Sequence, residues 1–327
     1  MTLPAANSYN LVADIGGTNT RIALAEGRTV LADTVRRYQN VDFPGLESVI
    51  RQYEADSGGL DPYAACVAVA GPVRDGQASM TNLDWVIDKD TLARATRSHT
   101  VAILNDLQAQ GHALGFLAPQ NVLPILTGPE GNEHAAKLVI GVGTGFNAAP
   151  VFDTEHGRLV TPSESGHANL PIRTEQELRL CQYVSNAHGF PAVEDVLSGR
   201  GLERVYAFLG QEAGDPREER AHMIMAALAD GRDPRAVEAA QIFTRILGTV
   251  AGNLSLIQLP FGGVYLVGGV ARAFAPYLTQ FGFGEAFRDK GRFAGFMGNF
   301  AVSVIEDDYA ALTGSAAHLV SLANAET

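Results

Sequence analysis

Glycine pairs set directly behind short apolar runs constrain this chain more than any other feature. Leu11-Val-Ala-Asp-Ile15 runs into Gly16-Gly17, and Arg21-Ile-Ala-Leu-Ala25 resumes the same character after Thr18-Asn19. Such a pair reads as two strands of a hairpin gripping a tight turn. The plan returns later: a strand from Lys137 to Ile140, then Gly141-Val-Gly143-Thr144-Gly145, then a second strand around Ala148 to Phe152. A third glycine turn, Gly268-Gly269, closes the strand Val264-Tyr-Leu-Val267, here in front of a helix.

The segments between these turns predict an α/β fold. Val30 to Tyr38 reads as a third strand, and Phe43-Pro44-Gly45 opens a helix with Leu46, Val49, Ile50 and Tyr53 at helical spacing. Ala64 to Ala70 is a buried strand stopped by Gly71-Pro72. Asp88 caps a helix running through Arg94, and Val101 to Leu104 is a strand ending at Asn105-Asp106. A hairpin meander combined with crossover units argues for mixed sheets. From Thr174 to Leu259 the pattern is helical, over Glu175–Val184, Leu202–Leu209, Arg217–Leu228 and Pro234–Leu259, the last with proline in its first turn. Gly282 to Phe300 reads as surface loops and short helices, before a strand at Ala301–Ile305 and a helix at Tyr309–Leu322. A chain of 327 residues exceeds one ordinary core. Two α/β domains are expected, a small one from 1–108 plus 309–327 and a large one from 109–308.

Composition removes several classes of function. A formal net charge of −12 disfavours nucleic acid and anionic membranes, which need a basic face. Cys66 and Cys181 are too few for a disulfide framework or a zinc site and read as buried free thiols. The first ten residues lack a basic stretch followed by an apolar one, so no signal peptide is expected, and no apolar run approaches the ~20 residues that span a bilayer. A soluble protein of a reducing compartment is expected.

Three constellations carry chemistry. In Asp14-Ile-Gly16-Gly17-Thr18-Asn19-Thr-Arg21, glycines let backbone approach an anion, Thr18 and Asn19 add donors, and Asp14 can hold Mg²⁺ directly or through water. The same glycines could simply make a hairpin turn. No Gly-Lys-Ser/Thr follows, so the loop is not of the Walker A type. Asp106, at a strand end, can accept a proton from a hydroxyl or merely cap the following helix. Glu164-Ser-Gly-His167 puts a carboxylate and an imidazole three residues apart on a loop. That pair suits vicinal hydroxyls and lacks the further ligands a metal needs, with His156 separated from it; a solvated loop is the alternative. Glu194 beside Asp195 reads equally as a solvated charge. Trp85, after Thr81-Asn82, and the phenylalanines 281, 283, 287, 293 and 296 read as core or interface, and Arg288-Asp-Lys290 as a solvated face.

The first turn resembles the first phosphate motif of the superfamily of actin, hexokinase and heat-shock chaperone ATPases. Gly143-Thr144-Gly145 resembles its second phosphate motif, and Phe261 through Gly268-Gly269 its adenosine motif. Asn105-Asp106, Ser163-Glu-Ser-Gly-His167 and Glu194 resemble the base and sugar-binding motifs of the proteobacterial, zinc-free glucokinase family, a likeness running from about Asn10 to Leu319. That resemblance implies two ribonuclease-H-like domains around an interdomain cleft. It also implies phosphorylation of glucose at the 6-hydroxyl by Mg²⁺-ATP, with Asp106 as the catalytic base. Asn105, Asp106, Glu164, His167 and Glu194 would bind the sugar. Gly16, Gly17, Thr18, Asn19, Gly143, Thr144, Gly145, Gly268 and Gly269 would hold ATP, and Asp14 the metal. A cytoplasmic homodimer is the assembly expected. Ser163 and Ser165 stand where the family pattern has glycines, and Phe146-Asn147 where it has Leu-Gly. Other hexoses (mannose, fructose, an N-acetylhexosamine) fit the same residues. A sugar-responsive regulator lacks room for a DNA-binding segment ahead of Asp14, and an actin-like filament protein would not need Asn105-Asp106 or Glu164 with His167.

Overall fold

The computed structural model describes residues 8–80, 83–155 and 157–325. In chain order the elements are β1 Asn10–Ile15, β2 Asn19–Glu26, β3 Thr29–Val30, β4 Arg36–Gln39, α1 Leu46–Ser57, β5 Ala64–Val69, β6 Val73–Arg74, β7 Gln77–Ser79, β8 Val86–Asp88, α2 Lys89–Thr96, β9 Thr100–Asn105 and α3 Asp106–Ala113. There follow β10 Val122–Leu126, β11 Lys137–Val142, β12 Phe146–Thr154, β13 Gly157–Val160, α4 Glu175–His188, α5 Gly199–Glu212, α6 Ala221–Asp230 and α7 Pro234–Gln258. The chain finishes with β14 Val264–Val267, α8 Gly269–Leu278, α9 Phe283–Arg288, β15 Val302–Ile305 and α10 Ala310–Ala325.

These elements form two compact units, one from 1–119, 154–162 and 307–327, the other from 120–153 and 163–306. The sequence reading broke the first unit at 108 and gave 154–162 to the other. Side chains explain the difference. Gln108 Nε2 donates to the Val160 carbonyl at 2.9 Å, and the Arg158 guanidinium donates to the Gly111 and His112 carbonyls at the end of α3. Polar bonds that satisfy helix-end carbonyls are invisible to a reading of composition.

In the first unit the sheet order is β3-β2-β1-β5-β9, with β4 also on β2. β1 pairs antiparallel with β2 but parallel with β5, which pairs parallel with β9. Both faces are covered. Leu11, Ala13 and Ile15 lie in a cluster with Leu46, Val49, Ile50 and Tyr53 of α1. Val12, Cys66, Ala68 and Leu104 lie in another with Ala109 of α3 and Ala311, Leu312, Ala316 and Leu319 of α10. The second cluster is rich in alanine, which lets α3 and α10 approach closely. A Cβ placed on Gly314 would lie 1.7 Å from the Ala109 carbonyl oxygen.

In the second unit the strand order β12-β11-β14-β15 repeats β2-β1-β5-β9. β11 pairs antiparallel with β12, and β11, β14 and β15 are mutually parallel neighbours, with β10 antiparallel on β15. Helices α5 and α7 line one continuous core with Leu138, Ile140, Val264 and Leu266.

Most expected strands and helices are present, with four corrections. The strand expected from Val30 to Tyr38 is broken by a 3₁₀ turn at Ala32–Thr34. There the Thr34 hydroxyl donates to the Leu31 carbonyl and accepts from the Leu24 N–H, replacing ladder bonds. Gly282 to Phe300 is not surface throughout: Phe283, Phe287, Met297 and Phe300 are fully buried, and only Phe293 among the five stripe phenylalanines is well exposed. Lys290 is no solvated charge, since its ammonium donates to the Thr249 carbonyl at 3.1 Å and partial burial lowers its pKa. Cys181 is half-buried, whereas Cys66 is fully buried. Burial pushes the Cys66 thiol up to about 12, leaving it unreactive. Trp85 belongs to the first unit's core, while Thr81-Asn82 and His156 lie outside the described residues. No helix among the described residues is long and apolar enough to cross a membrane.

Candidate active site

In the first unit the candidate residues gather at the C-terminal ends of parallel strands, the edge where open α/β sheets bind ligands. Asp14 is the penultimate residue of β1, and Asn105 and Asp106 sit at the junction of β9 and α3. The first turn is tight: the Gly16 N–H donates to the Asn19 carbonyl at 2.9 Å, while Gly17 and Thr18 face solvent. Neither Gly16 nor Gly17 has positive φ, so glycine serves here by leaving the backbone uncovered. Two residues hold the turn from β4 and the segment just past it. Asn40 Nδ2 donates to the Gly16 carbonyl at 2.7 Å and its Oδ1 accepts from Thr20 at 2.8 Å. The Arg37 Nε donates to Asn19 Oδ1 at 3.0 Å.

Asp14 pairs across the hairpin with Arg21 at 3.1 Å. Burial nevertheless raises its pKa, and Arg21 only partly offsets that. Only Oδ2 is engaged by Arg21. Mg²⁺ is held in nucleotide sites through one or two carboxylates plus substrate phosphates, so one carboxylate with an uncommitted oxygen fits it. The described residues contain no cluster of three or more metal-ligating side chains, a pattern that an all-protein cage would need.

Asn105, not Asp106, caps α3. Its side chain accepts from Leu107 N–H while Gln108 reaches back to the Asn105 N–H, a capping box that frees Asp106 from the helix-end role. Asn105 Nδ2 also donates to the Gly71 carbonyl at 2.9 Å, tying the ends of β5 and β9 together. Asp106 accepts from the Leu107 N–H at 2.9 Å. Desolvation, and then the charge of Asp14, push its pKa up to about 6; the Leu107 and Asn105 bonds work the other way. A half-buried carboxylate near neutral pKa can take a proton at physiological pH.

In the second unit the glycine turns abut. Gly143 N–H donates to Gly145 O at 2.9 Å, and the Gly143 carbonyl accepts from Gly199 N–H at the start of α5. Thr144 is exposed at its apex. Gly268 has φ +101°, and a Cβ there would meet the Val142 carbonyl at 2.5 Å, so the third turn packs on the second through glycine alone. Gly269, at the start of α8, opens onto free space. The loop expected at Glu164–His167 contains a 3₁₀ turn over Ser165–His167. Glu164 and His167 are exposed, and neither side chain has a partner among the described residues. Gly166 is buried; a Cβ on it would meet the Phe146 carbonyl at 2.0 Å. Glu194 is engaged differently: its Oε2 accepts the Phe146 N–H at 2.8 Å and presses on Gly145. One oxygen of Glu194 therefore supports the glycine turn at Gly143–Gly145.

The sequence reading missed the clamps: Asn40, Arg37, and the Gln108 that completes the cap. Only Gln108 left a signal, in the spacing Asn105-x-x-Gln108. Asn40 lies 24 residues from the carbonyl it holds.

A model of the family described as Glucokinase matches residues 11–322. The glucokinase of Saccharophagus degradans is 34% identical over 319 residues, covering 95% of this chain and 98% of that one. A crystal structure of glucokinase from an Antarctic psychrotroph superposes with TM-score 0.84 at 29% identity, covering 95% and 98% of the two chains. The glucokinase from Balamuthia mandrillaris, solved in complex with glucose, shares the fold at TM-score 0.81 and 23% identity, over 96% and 94%. Glycine turns at sheet edges, a strand-end carboxylate and these likenesses together define a hexose kinase. The chain belongs to the glucokinase family.

Proposed function

We propose that this chain transfers the terminal phosphoryl group of ATP to the 6-hydroxyl of glucose, giving glucose 6-phosphate and ADP. Asp106 accepts the hydroxyl proton, and Asn105, Glu164, His167 and Glu194 hold the sugar. The turns at Gly16–Asn19, Gly143–Gly145 and Gly268–Gly269 take the nucleotide through backbone N–H groups. Asp14 holds Mg²⁺, which when bound offsets triphosphate charge. Phosphoryl transfer needs positioning, charge neutralisation and a proton acceptor, and the chain supplies a residue for each. The two units, with their repeated strand order, correspond in this reading to two ribonuclease-H-like domains. An ATP donor suits the cytoplasm, and a homodimer belongs to the same reading.

Asp106 is the observation that carries the proposal. Its helix-capping duty has passed to Asn105, and its carboxyl stays half-open at the sheet edge with a pKa near 6. Because the base must be ionised, kcat/KM for glucose should fall about tenfold per pH unit below pH 6 and level off above it. A profile flat down to pH 5 would contradict this assignment. The substrate is tested by an ADP-release assay with Mg²⁺-ATP and a panel of glucose, mannose, fructose and N-acetylglucosamine. Glucose is expected to give the highest kcat/KM; another hexose exceeding it would overturn the choice.

A further inference from the structure

Of the three residues that depart from the family glycines, Asn147 bonds to both of the others. Asn147, on β12, reaches 16 and 18 residues ahead to the loop carrying Glu164. Its Nδ2 donates to the Ser163 carbonyl, and its Oδ1 accepts the Ser165 N–H at 3.0 Å. The side-chain amide thus brackets Glu164, bonding the backbone on either side of it. The amide orientation is fixed by its partners, since turning it over would face oxygen to carbonyl oxygen and nitrogen to N–H. The Ser165 hydroxyl donates to the same Oδ1 at 3.1 Å, and the Ser163 hydroxyl donates to the Ala148 carbonyl at 2.6 Å. Beyond the bracket, His167 N–H donates to Glu164 O and Ala168 N–H to Ser165 O, closing the 3₁₀ turn. The backbone of 163–168 is therefore tied down while the Glu164 carboxylate and His167 imidazole stay uncommitted.

We propose that Asn147 is a positioning residue that fixes the sugar loop before sugar arrives, so that binding does not have to order it. A ligand that meets a preordered site avoids the entropy of immobilising the loop. A glycine at 147 has no side chain to form this bracket. The inference rests on the reading that Glu164 and His167 bind the hexose. Asn147 itself touches backbone, so its effect should appear in sugar affinity and not in the chemical step.

The test measures KM and kcat for D-glucose at saturating Mg²⁺-ATP, with KM for ATP and Tm alongside. Asn147→Ala is expected to raise KM for glucose about 10-fold or more, with kcat and KM for ATP each within about threefold. Asn147→Asp, which keeps the acceptor for Ser165 and loses the donor to Ser163, covers the case where the alanine chain folds poorly and should raise KM for glucose about 3-fold or more. Ser163→Gly with Ser165→Gly keeps both backbone bonds to Asn147, so its KM should change less than threefold. Glu164→Ala is the control for the underlying reading and should raise KM for glucose at least 10-fold. If Glu164→Ala raises KM and the two Asn147 variants do not, the positioning role is wrong while the sugar-loop reading stands. If Glu164→Ala leaves KM unchanged, the sugar-loop reading falls, and this inference with it. A parallel loss of kcat, ATP affinity and Tm in both Asn147 variants would mark a general packing role and also overturn the proposal.

Discussion

Asp106→Asn is expected to fold and to bind ATP and glucose, yet to turn over about 10²-fold or more slowly than the unmodified chain, the lower part of the range for loss of a positioned base. The substitution is nearly isosteric. An asparagine oxygen can still accept the Leu107 N–H, and α3 keeps its cap because Asn105 and Gln108 make it. What disappears is the proton acceptor. The stability prediction has a definite sign. The folded-state pKa of Asp106 is raised to about 6 from the ordinary 3.8, so the folded chain holds this proton more tightly than the unfolded one. Its contribution to stability is therefore present below the unfolded pKa and lost as pH rises through about 6. At pH 7.5 a neutral asparagine escapes that loss, and Tm should stay level or rise; near pH 3.5 the gain should vanish. Calorimetry at the two pH values, with kcat from ADP release, checks both halves. Near-normal turnover would remove Asp106 from the base role.

Gly314→Ala should be among the most damaging single substitutions for stability. On helix propensity alone, the change would stabilise α10 by up to ~1 kcal/mol. Packing acts the other way, because the new Cβ would lie 1.7 Å from the Ala109 carbonyl oxygen, part of the backbone of α3. Backbone cannot swing aside as a flexible side chain can, so α3 and α10 must separate and open the alanine-rich layer between them. Overpacking of this kind costs about 1–3 kcal/mol, occasionally more. A net loss of about 2 kcal/mol is expected, seen as a Tm lower by at least ~4 °C. An unchanged or higher Tm would mean that propensity wins and the helix contact is softer than its geometry implies.

The strands and their glycine turns were legible because period, turn chemistry and length agree locally. Leu11–Ile15 and Val264–Val267 fall within one residue of the observed strands. Residues that act through distant partners were not. Asn40 holds a turn 24 positions away, Arg158 completes α3 from another strand, and Glu194 holds the Phe146 N–H from 48 positions away. In the sequence, Asn147 and the pair Ser163 and Ser165 read as two unrelated departures from a family pattern. Hydrogen bonding makes them one feature, and only coordinates could have joined them. Burial decided the outcome for Lys290, whose charged neighbours suggested solvent, and for the segment 282–300, whose glycine content suggested surface.

The helix α10 belongs to the first unit although it follows the whole of the second along the chain. On the ribosome, 163–306 emerge before 307–327 and can condense first. The sheet of β1, β5 and β9 must wait with its Val12, Cys66 and Leu104 face only partly covered, by Ala109 of α3, until Leu312 and Leu319 arrive. Emergence of α10 thus becomes a late assembly step for the part of the protein that carries Asp106. Chaperone protection during synthesis would be needed most on that alanine- and leucine-lined surface.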